Sequence, residues 1–287
     1  MKQSDRRVAA SSPSPLEGEG WGGGYDANRA PSNLPPSRQS RTVSAIVDLP
    51  RKGGGEDDVQ GRGKDHLLIV AGVTLAADCA GALYWPEQGL LVVADLHLEK
   101  GSSFAARGVL LPPYDTAATL ARLAQLIARY APRLVIALGD NFHDSEGPDR
   151  LMDGDRAALH ALQRGRDWIW ITGNHDPEPA AGIGGAFARF VTLAAVTFRH
   201  APTGTAGEIA GHLHPVARVT QRGRTISRRC FAVDGQRMVM PAFGAYAGGL
   251  NVRDRAFAEV FPTLAFTAHM LGEGRLYTIA AKRCLRD

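Results

Sequence analysis

The sequence predicts an α/β fold in which a βαβαβ half is followed by a β-rich half. Three observations carry this expectation. The runs "GLLVVADLHLEKG", "RLVIALGDNFHD" and "DWIWITGNHDPEP" are each continuously apolar and then turn polar, as strands buried on both faces do. The segments between them have helical periodicity. Beyond the third run, short strand-like segments joined by turns replace the helices.

Taken in order, "HLLIVAGVTLAA" and "GALYWP" read as a first pair of strands. The strand of "GLLVVADLHLEKG" comes next. A helix is predicted over "PPYDTAATLARLAQLIARYAP", where Leu120, Leu123, Ile127 and Tyr130 recur at helical spacing behind a Pro-Pro-Tyr-Asp start. "RLVIALGDNFHD" is the second buried strand and "DRLMDGDRAALHALQRG" a second helix. "DWIWITGNHDPEP" is the third strand-to-loop transition. "RFVTLAAVTFRHAP", "GEIAGHLHP", "ARVTQ", "RRCFAVDG", "RMVMPAFG" and "RLYTIAA" supply the strands of the second half.

Residues 1–63 are set apart by composition. "SSPSPLEGEGWGGG", "APSNLPPSRQ" and "RKGGGEDDVQGRG" are rich in Gly, Pro and Ser, and one short apolar stretch, "TVSAIVDL", cannot bury itself. This part is expected to be disordered, leaving 64–287 as the folded domain. "SPSPLEGEGWGGG" resembles a bacterial intergenic repeat read through in frame. The start is therefore expected near residues 59–66, at a codon other than AUG, because Met152 comes too late.

The 287-residue chain is 44% hydrophobic and 22% charged, ordinary for a globular protein with a sizeable core. Its formal charge of +4 permits a polyanionic partner without demanding one. Cys79, Cys230 and Cys284 are three, odd in number and far apart, which excludes a disulfide framework and a thiolate zinc site. No secretory leader is visible, and no apolar run approaches the roughly 18 residues that span a bilayer. A cytoplasmic location away from membranes is expected.

The chemistry-bearing residues gather at strand ends, where open α/β sheets place their ligand sites. The first strand ends in Asp95 and His97, read as sharing one strand face; the second in Asp140; the third in Asn174 and His175. The β-rich half adds His200 in "FRHAP", then His212 and His214 in "GHLHP". Each motif alone is ordinary. In succession, DxH, GD, GNHD, H and GHxH supply enough carboxylate, amide and imidazole donors for two metals sharing one bridging carboxylate.

This ordered set resembles the calcineurin-like metallophosphoesterases, over nearly all of residues 65–287. The resemblance implies a four-layer α/β/β/α sandwich of two mixed sheets, with the metals at one edge. It implies that Asp95, His97 and His214 hold one metal, that Asn174, His200 and His212 hold the other, and that Asp140 bridges them. His212 and His214 would face the same way to reach different metals of the pair. Nitrogen and oxygen donors without thiolate suit Mn²⁺, Fe or Zn²⁺. The implied chemistry is in-line attack on phosphorus by metal-activated hydroxide. His175 would face the leaving oxygen as acid or charge stabiliser, and Asp176 would orient it. Many members read GDxxD where this chain reads "GDNFHD", so His143 stands either against substrate or beneath the loop.

A narrower resemblance joins "FRHAP", "GEIAGHLHP" and "CFAVDGQRMVMPAFGAYAGGLNV" to the ligase-associated DNA damage response endonucleases. It implies a Mn²⁺-dependent phosphodiesterase that cuts DNA in repair, associated functionally with a DNA ligase and other repair enzymes. "MPAFGAYAGGLN" has no ligands of its own and reads equally as a structural loop packed near the metals. Arg218, Arg222, Arg224, Arg228 and Arg229 in "ARVTQRGRTISRRC" form either a track for phosphates flanking the scissile bond or a solvated basic hairpin. Two alternatives stand beside the DNA endonuclease: a phosphodiesterase or phosphatase acting on small nucleotides, and a catalytically silent interaction scaffold.

Overall fold

The computed structural model describes residues 66–287. The segment expected to be disordered, and the expected boundary after residue 63, lie outside these residues.

The first sheet runs in chain order through β1 (His66–Val70), β2 (Val73–Ala77), β3 (Leu83–Trp85), β4 (Leu90–Ala94), β5 (Leu134–Leu138), β6 (Asp167–Ile171) and β7 (Ala186–Ala188). Strands β1 to β4 pair antiparallel, and β4 to β7 pair parallel. The parallel pairs need crossovers: α1 (Lys100–Ala106) and α2 (Asp115–Tyr130) join β4 to β5, α3 (Gly147–Arg150) and α4 (Asp153–Gln163) join β5 to β6, and the helix-free segment 172–185 joins β6 to β7. The second sheet contains β8 (Phe190–Leu193), β9 (Val196–Arg199), β10 (Glu208–Ala210), β11 (Pro215–Gln221), β12 (Arg224–Val233), β13 (Met238–Val239) and β14 (Leu250–Asn251), in the order β14-β11-β12-β13-β10-β9-β8. After α5 (Arg255–Val260), β15 (Thr267–Leu271) pairs with β12 and with β16 (Leu276–Ala280).

Strand alternation divides the core into layers. On β4 and β5, Leu90, Val92, Ala94, Leu134, Ile136 and Leu138 face the second sheet and pack with Phe198, Ile209, Phe231 and Met238. The intervening Leu91, Val93, Val135 and Ala137 face the helices and meet Leu120, Leu123, Ile127 and Leu159. Both faces are buried, which is why these strands read as unbroken apolar runs. On the far side of the second sheet, Ala217, Cys230, Ala232, Ala268 and Met270 pack against Phe257 and Val260 of α5. The result is the α/β/β/α sandwich of two mixed sheets.

The helices differ from expectation in detail. α2 buries Leu120, Leu123, Leu126, Ile127 and Tyr130, and ends where Ala131 turns left-handed at φ 43°. The helix expected over 149–165 is broken, because Leu151 is buried and Met152 is extended at ψ 149°. α4 then starts at Asp153, with two acidic residues in its first turn suiting the helix dipole. α1 was not expected. Its seven residues include one Gly and two Ser and have no apolar stripe. It is held by side chains of α2: Asp115 accepts from the Gly101 N–H (3.1 Å) and Thr116 from the Glu99 N–H (2.9 Å). All three cysteines are free. No helix among the described residues is long and apolar enough to cross a membrane.

Candidate metal centre

β4, β5 and β6 run parallel, so their carboxyl ends open on one edge of the sandwich. Asp95 follows directly on β4, Asp140 is two residues past β5, and Asn174 and His175 lie just past β6. From the second sheet, His200 follows β9, and His212 and His214 occupy the link from β10 to β11. The seven residues expected as ligands therefore come from the ends of both sheets.

Strand geometry does not aim them. Asp95 and His97 lie beyond the end of β4, with left-handed φ of 52° and 43°, and do not share a strand face. His212 and His214 are likewise off-strand, at φ 69° and 45°, and Asp140 is at 44°. This region costs a non-glycine residue of the order of 1 kcal/mol, so five such residues in one spot mark a constrained site. Small neighbours make room: a Cβ on Gly211 would stand 2.5 Å from Asp95 Oδ2, and one on Gly139 would stand 2.5 Å from the His200 ring.

Two groups of donor atoms form around Asp140. Asp95, His97, Asp140 and His214 bring one atom each within 4.8 Å of one another, as do Asp140, His200 and His212. Asn174 joins the second group, its Oδ1 lying 2.8 Å from His200 Nε2. Asp140 faces both: Oδ1 is 3.3 Å from His200 Nε2, and Oδ2 is 4.0 Å from His97 Nε2. A third group, His97, His143 and His175, adjoins the first. Asp95 and Asp140 are buried, whereas Asn174 and His212 are exposed and His175 half-buried, so the centre opens to solvent on that side.

The donor set suits divalent cations. Burial, seconded by His214, pushes the His97 ring down to about 2, so it is a neutral imidazole with a free lone pair. His97 Nε2 and His214 Nε2 are 3.2 Å apart, and the buried His97 Nδ1 has no hydrogen-bond partner. Burial works against the Asp95 carboxylate, yet His214, His200 and His97 hold it below its ordinary value. Carboxylate oxygens and imidazole nitrogens converging without thiolate are the chemistry of a Mn, Fe or Zn site.

Outer partners fix the rings. His200 Nδ1 donates to the Leu138 carbonyl at 3.0 Å, which turns Nε2 towards Asn174 and Asp140. His175 Nδ1 donates to the His143 carbonyl at 2.7 Å, leaving Nε2 3.9 Å from Asp140 Oδ2. His175 is therefore oriented by a backbone carbonyl and not by Asp176. The Asp176 carboxylate accepts from the Asn141 backbone (2.9 Å), the Asn141 side chain (2.8 Å) and the Gly173 backbone (3.0 Å). It ties the Asp140 loop to the Asn174 loop. Burial raises it to about 6 against those hydrogen bonds, with Asp140 adding to the rise.

The family profile described as calcineurin-like phosphoesterase matches residues 90–228. Residues 90–228 thus carry a calcineurin-like phosphoesterase domain. Among solved structures, the crystal structure of Pseudomonas putida nuclease MPE is similar with a TM-score of 0.57 and 28% identity, covering 75% of this chain and 100% of that one. No curated protein matches. This phosphoesterase is a metal-dependent hydrolase.

The five arginines of the β11–β12 hairpin do not form one track on the phosphoesterase. Alternation puts Arg224 and Arg228 on the face of Cys230, and Arg229 on the opposite one. Arg218 pairs with Asp287 at 2.6 Å, and Arg222 sits at the exposed turn. Arg229 is turned inward, donating to the carbonyls of Ala242 (2.9 Å) and Ala247 (3.1 Å) in the Gly-rich loop, where burial lowers its pKa. That loop is structural: the Phe243 N–H bonds the Ala94 carbonyl, the Gly244 N–H that of Asp95, and the Leu250 N–H that of His214. Among residues given no role from sequence, Asn141 clamps Asp176, and Lys100 reaches the Tyr246 carbonyl at 3.2 Å.

Proposed function

We propose that this phosphoesterase hydrolyses DNA phosphodiester bonds with two bound divalent ions, Mn²⁺ the preferred pair. In this reading Asp95, His97, Asp140 and His214 hold one ion, and Asp140, Asn174, His200 and His212 hold the other. The observation that carries it is the pair of donor groups sharing Asp140, one carboxylate oxygen towards each. Two such ions supply a water-derived nucleophile at neutral pH and offset charge on the phosphoryl oxygens.

The chain's own residues do the rest. Asp140 fixes the spacing of the two positions. His175 donates through Nδ1 to the His143 carbonyl, which leaves Nε2 facing the centre, 3.9 Å from Asp140 Oδ2. A protonated Nε2 donates to the leaving oxygen, and a neutral one waits for a proton from solvent. Asp176 holds the Asp140 and Asn174 loops at a fixed separation and acts on position.

DNA as substrate is supported by the similarity to a nuclease, whose whole length the match covers. The hairpin arginines point apart and lend DNA binding no common track. The repair setting, beside a DNA ligase, is carried over from the branch that the second half of the sequence resembles. The test is an assay of the full chain with Mn²⁺ on linear, hairpin and single-stranded DNA beside a chromogenic phosphodiester. Cleavage of DNA, abolished in Asp140→Ala, is the expected result. Hydrolysis of the small ester alone would leave a phosphodiesterase of small substrates.

A further inference from the structure

α1 leaves the centre directly after His97 and Glu99, and two of its residues make one face with Arg107, its C-cap. Lys100, Phe104 and Arg107 recur at i, i+4 and i+7, while Gly101 and Ser103 are buried behind them. Phe104 lies 5.6 Å from the His143 ring, tilted by 39°. His143 in turn stacks on His175 at 5.3 Å and 27°. A file of three rings thus runs outward from the residue placed against the leaving oxygen.

Two cations stand at its outer end. Lys100 Nζ is 5.6 Å and Arg107 Cζ 5.0 Å from the centre of the Phe104 ring, within cation–π range. Neither has a carboxylate within ion-pair distance among the described residues. Asp115, which acts on Lys100 electrostatically, is bonded to the Gly101 N–H. Arg107 spends its guanidinium on the Ser103 carbonyl (3.2 Å) and hydroxyl (2.8 Å), which holds the head group in place and leaves its charge uncompensated. Two like charges beside one ring, close to a phosphoester centre and without a counterion, call for an anion from outside.

We propose that Lys100 and Arg107 hold the DNA phosphate next to the scissile one, on the His175 side. α1 would then be the element that favours a polynucleotide over a small ester. Phe104 spaces the two cations, and its partly exposed ring screens them from water on one side. The inference rests on the DNA reading above and adds to it where the strand runs.

The experiment is anisotropy titration of a fluorescent single-stranded DNA 12-mer with the full chain in EDTA, across a range of KCl concentrations. Lys100→Gln/Arg107→Gln should bind about tenfold more weakly at 0.1 M salt. Its plot of log affinity against log salt should be shallower by about 1.4, two contacts at roughly 0.7 each. The charge-retaining pair Lys100→Arg/Arg107→Lys should keep the wild-type slope. If the double variant does not fold, Arg107→Gln alone, at an exposed residue, should give half the change. A wild-type slope in the glutamine variants, with DNA cleavage by the wild-type chain intact, overturns this inference alone. A wild-type chain that neither binds nor cuts DNA yet hydrolyses the chromogenic ester removes the nuclease reading and this one with it.

Discussion

Asp140 divides its two carboxylate oxygens between two sets of imidazoles, with Oδ1 also accepting the His175 backbone N–H at 3.0 Å. Asp140→Ala should therefore lose both ions in elemental analysis, and retention of one would show that the two groups are independent. Asp176 is a different kind of residue. Asp176→Ala leaves the donors of Asn141 and Gly173 unpaired in a buried place, a cost of about 3 kcal/mol in denaturant unfolding. Metal affinity should fall with it, and unchanged stability would contradict the clamp. The pH dependence follows from His97. Its ring is held at about 2 in the fold against 6.5 in the unfolded chain, so the unfolded state binds more protons below pH 6.5. Asp176, raised to about 6, works the other way over a narrower window, stabilising only as pH falls below that value. The chelated protein should melt lower at pH 5 than at pH 7.5, and His97→Gln should shrink the difference. The ligand residues were legible because each closes an apolar run. The role of Asp176 was not, since it depends on two loops 35 residues apart meeting.

At the scale of elements, the buried strands and α2 were readable because their periods are long and regular. α1 was not, being seven residues held by Asp115 and Thr116 of the next helix. The hairpin shows a second limit. Alternation separates Arg228 from Arg229, but the placing of Arg218 depends on register and on a C-terminal partner. Leu123→Ala in α2, whose side chain is fully buried, should cost roughly 2–5 kcal/mol by the same denaturant measurement. Gly211→Ala tests a loop. Its Cβ would press on Asp95 Oδ2, so metal occupancy should drop while the far-ultraviolet circular dichroism stays that of the wild type. Full occupancy in that variant would mean that Asp95 has room to move.

The described residues form two sheets back to back with helices outside, and both donor groups that share Asp140 take residues from each sheet. A ligand bound only by the fold stabilises it by about 2.7 kcal/mol at a hundredfold excess over its Kd. In a domain of this size that is a rise of roughly 5–10 °C in melting temperature. Adding Mn²⁺ to the chelated protein should produce it, and Asp140→Ala should abolish it. The α/β class and the order of its halves were legible from alternation and run length. The layering came with the resemblance, because no local pattern says which faces meet.

The same division has a consequence in time. Asp95, His97 and Asp140 are made early, but His200, His212 and His214 are made last of the ligands. A nascent chain still short of residue 200 holds no complete donor group around Asp140, however well its first sheet has formed. Metal loading is thus a late step, open only once His200, His212 and His214 have joined the fold. A phosphoesterase built this way stays without its metal centre for as long as its second half is unmade.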